Sequence, residues 1–214
     1  MAETSSPVMQ LDFYLNGEYL TMIESAFMYA PGVFAIPYTE GLDRTVVNLY
    51  IAYLKRHITA VREAGKRIGV PEAQLDSHDK SKFGEAEFPA YAKHFYGGGA
   101  PKEFAAAVLH HYHVNAHHPE HWLFPGNSAI SGVTVNNALP MPYHYIQEMA
   151  ADWLGAQYAL SGTWDISPWF NKNAGKKIIL HPDTWRSLAD VLATVGYSCR
   201  FFFDENRYEV IYHG

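Results

Sequence analysis

The sequence predicts a mainly α-helical protein, a helical bundle that ends in a small C-terminal β-hairpin. Three observations carry this expectation. Apolar residues recur at three- and four-residue steps through most of the chain. Glycine and proline punctuate those runs where helices should stop and start. Near the C-terminus the pattern changes to two short runs rich in aromatic and β-branched residues with a polar turn between them. Over 214 residues, 48% hydrophobic and 18% charged positions supply a sizeable core and exclude disorder as the main state.

The elements follow in chain order. Residues 1–40 read as an N-terminal extension. Gln10–Leu20 alternates loosely like a strand, with Asn16-Gly17 as a turn signal, and Pro31, Gly32 and Pro37 then break the pattern. This aromatic-rich segment is a candidate lid or a candidate subunit interface, the latter implying a homo-oligomer. A long helix is expected over Leu42–Ile68, where Val46, Tyr50, Leu54, His57, Val61 and Ile68 share a stripe, and Gly69 and Pro71 end it. A short segment follows at Asp76–Phe83. A helix near 85–96 places Phe88, Tyr91, Ala92 and Phe95 on one face, and the Gly97-Gly98-Gly99 run stops it. Pro101 suits the first turn of the next helix, in which Phe104, Ala107, Val108 and His111 share a face. Residues 114–141 read as a long loop, a length usually tied to function or to disorder. A further helix begins near Pro142 and carries Tyr145, Met149, Asp152, Trp153, Ala156 and Leu160. After Gly162, Asp183–Val195 reads as a helix. Ser198–Phe203 and Tyr208–Tyr212 read as two strands joined by Asp204-Glu205-Asn206-Arg207. The expected organisation is an extension at 1–40, a helical domain at 41–165 and a helix-plus-hairpin appendage at 166–214.

Charge and composition bound the function. The net charge is -6 with histidines neutral, so no general nucleic-acid binding is expected. The single cysteine, Cys199, excludes an intrachain disulfide and a cysteine-based zinc site. Met1–Gln10 lacks the basic and apolar regions of a signal peptide. Residues 121–147 carry no charged side chain, but Pro125, Gly126, Asn127, Asn136, Asn137, Pro140 and Pro142 do not suit a membrane-spanning helix. A cytoplasmic protein with no membrane partner is expected.

Histidine is the unusual residue. There are 12, and His110, His111, His113, His117, His118 and His121 fall in one short stretch. The more informative signal is His78-Asp79-Lys80-Ser81-Lys82. Adjacent His and Asp can bind one divalent metal through a neutral imidazole and a hard carboxylate oxygen, and a nearby lysine can neutralise a phosphate. An HD dipeptide alone occurs by chance in many chains. Here His57 lies on the apolar stripe of the first long helix, and Asp152 lies on another largely apolar face. A buried unpaired carboxylate is costly, and coordination to a cation removes that cost. His111 lies on the inward face of its own helix. Three helices and the segment at 78 therefore each offer a metal-type ligand.

The order His57, His78-Asp79, Asp152 resembles the HD-domain superfamily of metal-dependent phosphohydrolases. More narrowly, HDKSKFGEAEFPAYAKHFYG (78–97), HHYHVNAHHPEHW (110–122), MPYHYIQEMAADW (141–153) and IILHPDTWRSL (178–188) are similar to a bacterial and phage family of HD-like proteins without an assigned substrate. The resemblance spans residues 42–190 and implies an HD-domain-like helical bundle. It also implies that His57, His78, Asp79 and Asp152 hold a divalent metal. The pattern His111, Asn115, His117, His118 implies a second metal held by His111 with His117 or His118. His110 points about 100° away from His111 on a helix, toward the surface or a supporting role. His94 has the right order for an extra ligand, while His113 and His121 have no strong case. Glu148 lies four residues before Asp152, on the same helical face. It can act as a general base, fix the tautomer of a ligand His, or form a surface ion pair, and the second role is favoured. Lys82 is a candidate phosphate clamp or a solvated lysine. Asn115 is a candidate for orienting water or substrate.

The resemblance thus implies a hydrolase of a phosphate ester, its substrate a nucleotide or another small phosphorylated metabolite. Its cofactors would be one or two divalent ions from among Mn, Fe, Zn, Co and Mg. Rival readings are an HD-type di-iron oxygenase and a non-catalytic metal- or ligand-binding protein. The sequence contains no HExxH, GxGxxG or Walker A stretch, and no GxSxG supports a serine triad.

Overall fold

Residues 37–124, 137–203 and 207–214 are described by the structure, a computed structural model, together with the backbone of short strands at 12–15, 18–21, 28–30 and 33–34. The chain divides into two compact units, Met1–Ile36 and Pro37–Gly214. In the first, β1 (Asp12–Leu15) pairs antiparallel with β2 (Glu18–Thr21), and β3 (Met28–Ala30) with β4 (Val33–Phe34). The expected strand is thus a hairpin, while Asn16-Gly17 and the proposed lid or interface role lie outside the described residues.

The second unit is mainly helical, with seven α-helices among the described residues and one C-terminal hairpin. Helix α1 (Arg44–Ile68) begins where the Asp43 side chain accepts from the Thr45 and Val46 amides, and ends at Gly69 in the left-handed region. Its stripe buries Val47, Tyr50, Leu54, His57, Val61 and Ala64. The segment expected at Asp76–Phe83 is in fact α2 (Glu72–Ser77), then His78 and Asp79, then a 3-10 turn at Lys80–Phe83. Next come α3 (Phe88–Tyr96) and α4 (Pro101–Val114), each with proline in its first turn. The stretch expected as a plain loop contains a second 3-10 turn at Pro119–Trp122, and a bridge between Leu123 and Ala138 ties its ends together. Pro125, Gly126, Asn127 and Asn136, from the charge-free stretch, lie outside the described residues.

Helix α5 (Tyr143–Ser161) runs along α1. A short α6 (Ser167–Asn173), absent from the sequence-based expectation, precedes α7 (Pro182–Ala193). Strands β5 (Tyr197–Phe202) and β6 (Arg207–Tyr212) close the fold in a register running from Tyr197 opposite Tyr212 to Phe202 opposite Arg207. Most of their connection, Asp204-Glu205-Asn206, lies outside the described residues. One core joins α1 and α5 to α7 and the hairpin through Val61, Met149, Leu154, Phe170, Trp185, Leu188, Tyr208 and Val210. The boundary expected at 165 therefore falls between α5 and α6, inside one packed body. No helix among the described residues is long and apolar enough to cross a membrane.

Candidate metal centre

The α1–α5 pair brings His57 and Asp152 face to face, with His57 Nε2 at 3.2 Å from Asp152 Oδ1. The turn between α2 and Lys80–Phe83 adds His78 and Asp79 to this pair. Adjacent side chains on an extended backbone would diverge. Here His78 is extended, and Asp79 takes a left-handed conformation (φ 56°, ψ 17°), so both side chains enter the same site. Asp is among the few non-glycine residues that visit this region readily. His57 Nε2 lies 2.9 Å from Asp79 Oδ2, and His78 Nε2 lies 3.4 Å from Asp152 Oδ1. His57, His78, Asp79 and Asp152, all buried, each offer a ligand atom within 4.8 Å of the others.

A second set meets the first at Asp79. Helix α4 ends at Asn115, whose amide N–H bonds to the His111 carbonyl, and the chain then turns back. That reversal carries both His117 and His118 inward. Asp79, His111, His117 and His118 again place ligand atoms within 4.8 Å of one another. Asp79 Oδ1 lies 3.3 Å from His111 Nε2 and 3.7 Å from His117 Nε2, and the Nε2 atoms of His111 and His118 are 2.8 Å apart. The sequence left His117 and His118 as alternatives, and the structure brings in both.

Carboxylates hold the outer ring nitrogens. Glu148 Oε1 accepts from Nδ1 of His78 at 2.8 Å and faces Nδ1 of His117 at 3.2 Å. Its other oxygen accepts from Gln74. Glu148 therefore orients two imidazoles and faces neither solvent nor a surface cation. Glu87, completely buried, accepts from His111 Nδ1 and from His110 Nδ1, both at 2.8 Å. The Asn115 amide donates to Ser81 Oγ and to the His111 carbonyl, so it braces the turn. Lys82 donates to Asp79 Oδ2 at 2.5 Å and is nearly buried. His94 instead stacks on Phe104, His113 is exposed, and His121 bonds to the Tyr112 carbonyl.

Electrostatics of the centre follow from this crowding. Burial alone would raise the carboxyl groups of Asp79 and Asp152. Lys82 with His78 and His111 holds the first well below the ordinary range, and the close approach of His57 and His78 does so for the second. Burial likewise works against Glu148, but its histidine partners bring it down to about 2. Burial works against the His78 charge too, yet Asp79, Asp152 and Glu148 push that imidazole up to about 10. Burial beside His117 and His111 drives His118 well below its ordinary value.

The donor set fits divalent cations. Four buried carboxylates, Asp79, Glu87, Glu148 and Asp152, are balanced without metal by the Lys82 ammonium and by protonated imidazole, that of His78 first. A divalent ion can take the place of those imidazole protons and balance the same buried negative charge. His78 Nε2, Asp79 Oδ1 and His117 Nε2 are buried without a hydrogen-bond partner, and all three belong to the ligand sets. Nitrogen and carboxylate oxygen donors suit divalent cations, and a third candidate group, His78, His117 and Glu148, overlaps the first two.

Glu87 and Ser81 were missed from the sequence. Ser81 lies inside the HDKSKF stretch, and Glu87 follows it closely in a helix-start position. Neither carries a local pattern that singles it out.

Fold and site together define a helical protein with a buried histidine–carboxylate centre of metal-binding type. The model of a family of unknown function, DUF5662, matches residues 47–194, and the chain belongs to that family. No curated protein and no solved structure matches it.

Proposed function

We propose that the protein is a divalent-metal-dependent hydrolase of phosphate esters on an HD-type scaffold, acting on a nucleotide or another small phosphorylated metabolite. The observation that carries this reading is Asp79. One of its oxygens faces His57, near His78 and Asp152, and the other faces His111 and His117. The first set keeps the HD order His57, His78-Asp79, Asp152. Bound divalent ions supply Lewis acidity toward a phosphoryl oxygen and lower the pKa of a coordinated water. The chain itself does the rest. Glu148 and Glu87 accept hydrogen bonds from the outer Nδ1–H groups, which would leave the Nε2 atoms of His78, His111 and His117 unprotonated to hold metal. Lys82 balances carboxylate charge and is placed beside Asp79 to meet an anionic substrate. Asn115 and Ser81 brace the turn that carries His117 and His118.

One observation favours the di-iron oxygenase reading. Lys82 is the sole lysine or arginine in the described cluster, and it is already paired with Asp79. A phosphate substrate therefore relies chiefly on the ions for its charge balance. Metal analysis of purified protein followed by a phosphate-ester panel decides between them. The hydrolase reading expects phosphate release that chelation abolishes and added Mn2+ or Co2+ restores. A tightly held redox-active iron pair with oxygen-dependent turnover would establish the oxygenase. Full metal loading without any turnover would leave a binding protein.

A further inference from the structure

We infer that the two ion positions are governed by different carboxylates, Glu87 acting as positioning residue for the second alone and Glu148 for both. This rests on the two-ion reading above. Glu148 Oε1 is shared between Nδ1 of His78, in the first set, and Nδ1 of His117, in the second. Glu87 has no such double reach. Its oxygens bond His111, a member of the second set, and His110, a member of neither.

The chemistry at His111 makes Glu87 decisive. A neutral imidazole carries one proton, and ligation through Nε2 requires that proton on Nδ1. A carboxylate can only accept, so Glu87 selects the Nδ1–H tautomer. The other close neighbour cannot do the same. Asn115 Nδ2 lies 2.9 Å from His111 Nδ1, and the same group donates to the His111 carbonyl oxygen. The amide NH2 therefore faces Nδ1. Both hydrogens of that NH2 are committed to Ser81 Oγ and the His111 carbonyl, so it offers Nδ1 no acceptor and does not hold a proton there. Without Glu87, Nδ1 is left with Asn115 and the more distant Ser81 Oγ at 3.3 Å, while Asp79 Oδ1, 3.3 Å from Nε2, is an acceptor that draws the proton onto the ligating nitrogen.

The test is Mn2+ binding to the full-length protein, read as stoichiometry and affinity by titration with elemental analysis. Wild type should bind two ions. Glu87→Ala should keep the first ion at wild-type affinity and weaken the second by about 10–100-fold, the usual cost of losing such a support. Glu87→Met, which fills the space without an acceptor, should behave the same way and covers the case in which the alanine variant fails to fold. Glu87→Gln should restore most of the second site. Its carbonyl can still accept from His111 while its NH2 faces His110, which is free to take either tautomer. Glu148→Ala should weaken both ions. Two tight ions in both Glu87→Ala and Glu87→Met would overturn the inference, as would equal loss of both ions. Equal defects in Glu87→Gln and Glu87→Ala would overturn it as well. A wild-type protein that binds fewer than two ions would overturn the two-ion reading itself, and the inference with it.

Discussion

Gly155 on α5 lies directly against the backbone of Val61 on α1. A Cβ added at Gly155 would come within 2.5 Å of the Val61 amide nitrogen and 2.7 Å of its Cα. His57 sits one turn before Val61, and Asp152 nearly one turn before Gly155. The close approach therefore sets the 3.2 Å separation of His57 Nε2 and Asp152 Oδ1. Gly155→Ala should force the helices apart and cost about 1–3 kcal/mol. For a chain of this size that lowers Tm by about 2–12 °C. It should also weaken the first metal. Gly65→Ala is the contrast. Its Cβ would meet the side chain of buried Leu75 rather than backbone, so the core can yield there and the loss of stability should be smaller. Thermal melts and metal titration of both variants check this, and equal stability of the two would refute it.

Asp79 combines a carboxylate common to two candidate ligand sets with a left-handed backbone, and two substitutions separate them. Asp79→Asn keeps a residue that tolerates φ of 56° but removes the negative charge of the carboxylate shared by the two sets. Asp79→Ala removes the carboxylate and also adds the left-handed penalty of about 1–2 kcal/mol. Both should lose metal at both positions. The alanine variant should melt below the asparagine variant when both are metal-free. Retention of two tightly bound ions by either variant would remove Asp79 from the centre.

Much of this site was legible in the sequence because helices have a period. The stripe Tyr50, Leu54, His57, Val61 fixes an inward His57, and the face of α5 fixes an inward Asp152. Non-helical segments have no such period. Nothing local decides which of His117 and His118 turns inward after α4 ends, and both do. The left-handed Asp79 is invisible for the same reason. Glu87 escaped because its partners lie 23 and 24 residues away, across the α3–α4 connection. Helix α6 escaped because seven residues span too few turns for a stripe to show.

Lys82 and a bound cation compete for the same carboxylate oxygen. Lys82 Nζ donates to Asp79 Oδ2, which also faces His57 Nε2 at 2.9 Å. In metal-free protein, Lys82→Met leaves the buried Asp79 without its ammonium, a loss of about 3–5 kcal/mol. The metal-free melting point should fall by about 6–20 °C. Added Mn2+ should recover most of that loss, so the metal-induced rise in Tm should be larger in the variant than in wild type. A smaller rise would show that Lys82 supports the ion rather than standing in for it.

Rising pH should cost the metal-free protein stability that the metal-loaded protein keeps. In the metal-free protein His78 is raised from 6.5 to about 10: burial opposes its charge, but Asp79, Asp152 and Glu148 outweigh burial. A raised imidazole contributes its full stabilisation below the unfolded value of 6.5 and loses it as pH climbs toward 10. Asp79 and Asp152 are depressed, so their contribution is present above the usual carboxylate range and is lost as acid protonates them. Metal-free protein should therefore melt progressively lower from about pH 6.5 upward. A bound ion needs the His78 Nε2 lone pair, and the proton it displaces makes binding tighter as pH rises. The gap in Tm between loaded and metal-free protein should widen from about pH 6 to 8.5, and binding heats should depend on the ionisation enthalpy of the buffer. A gap that stays flat or narrows over that range would mean that His78 does not exchange its proton for a metal.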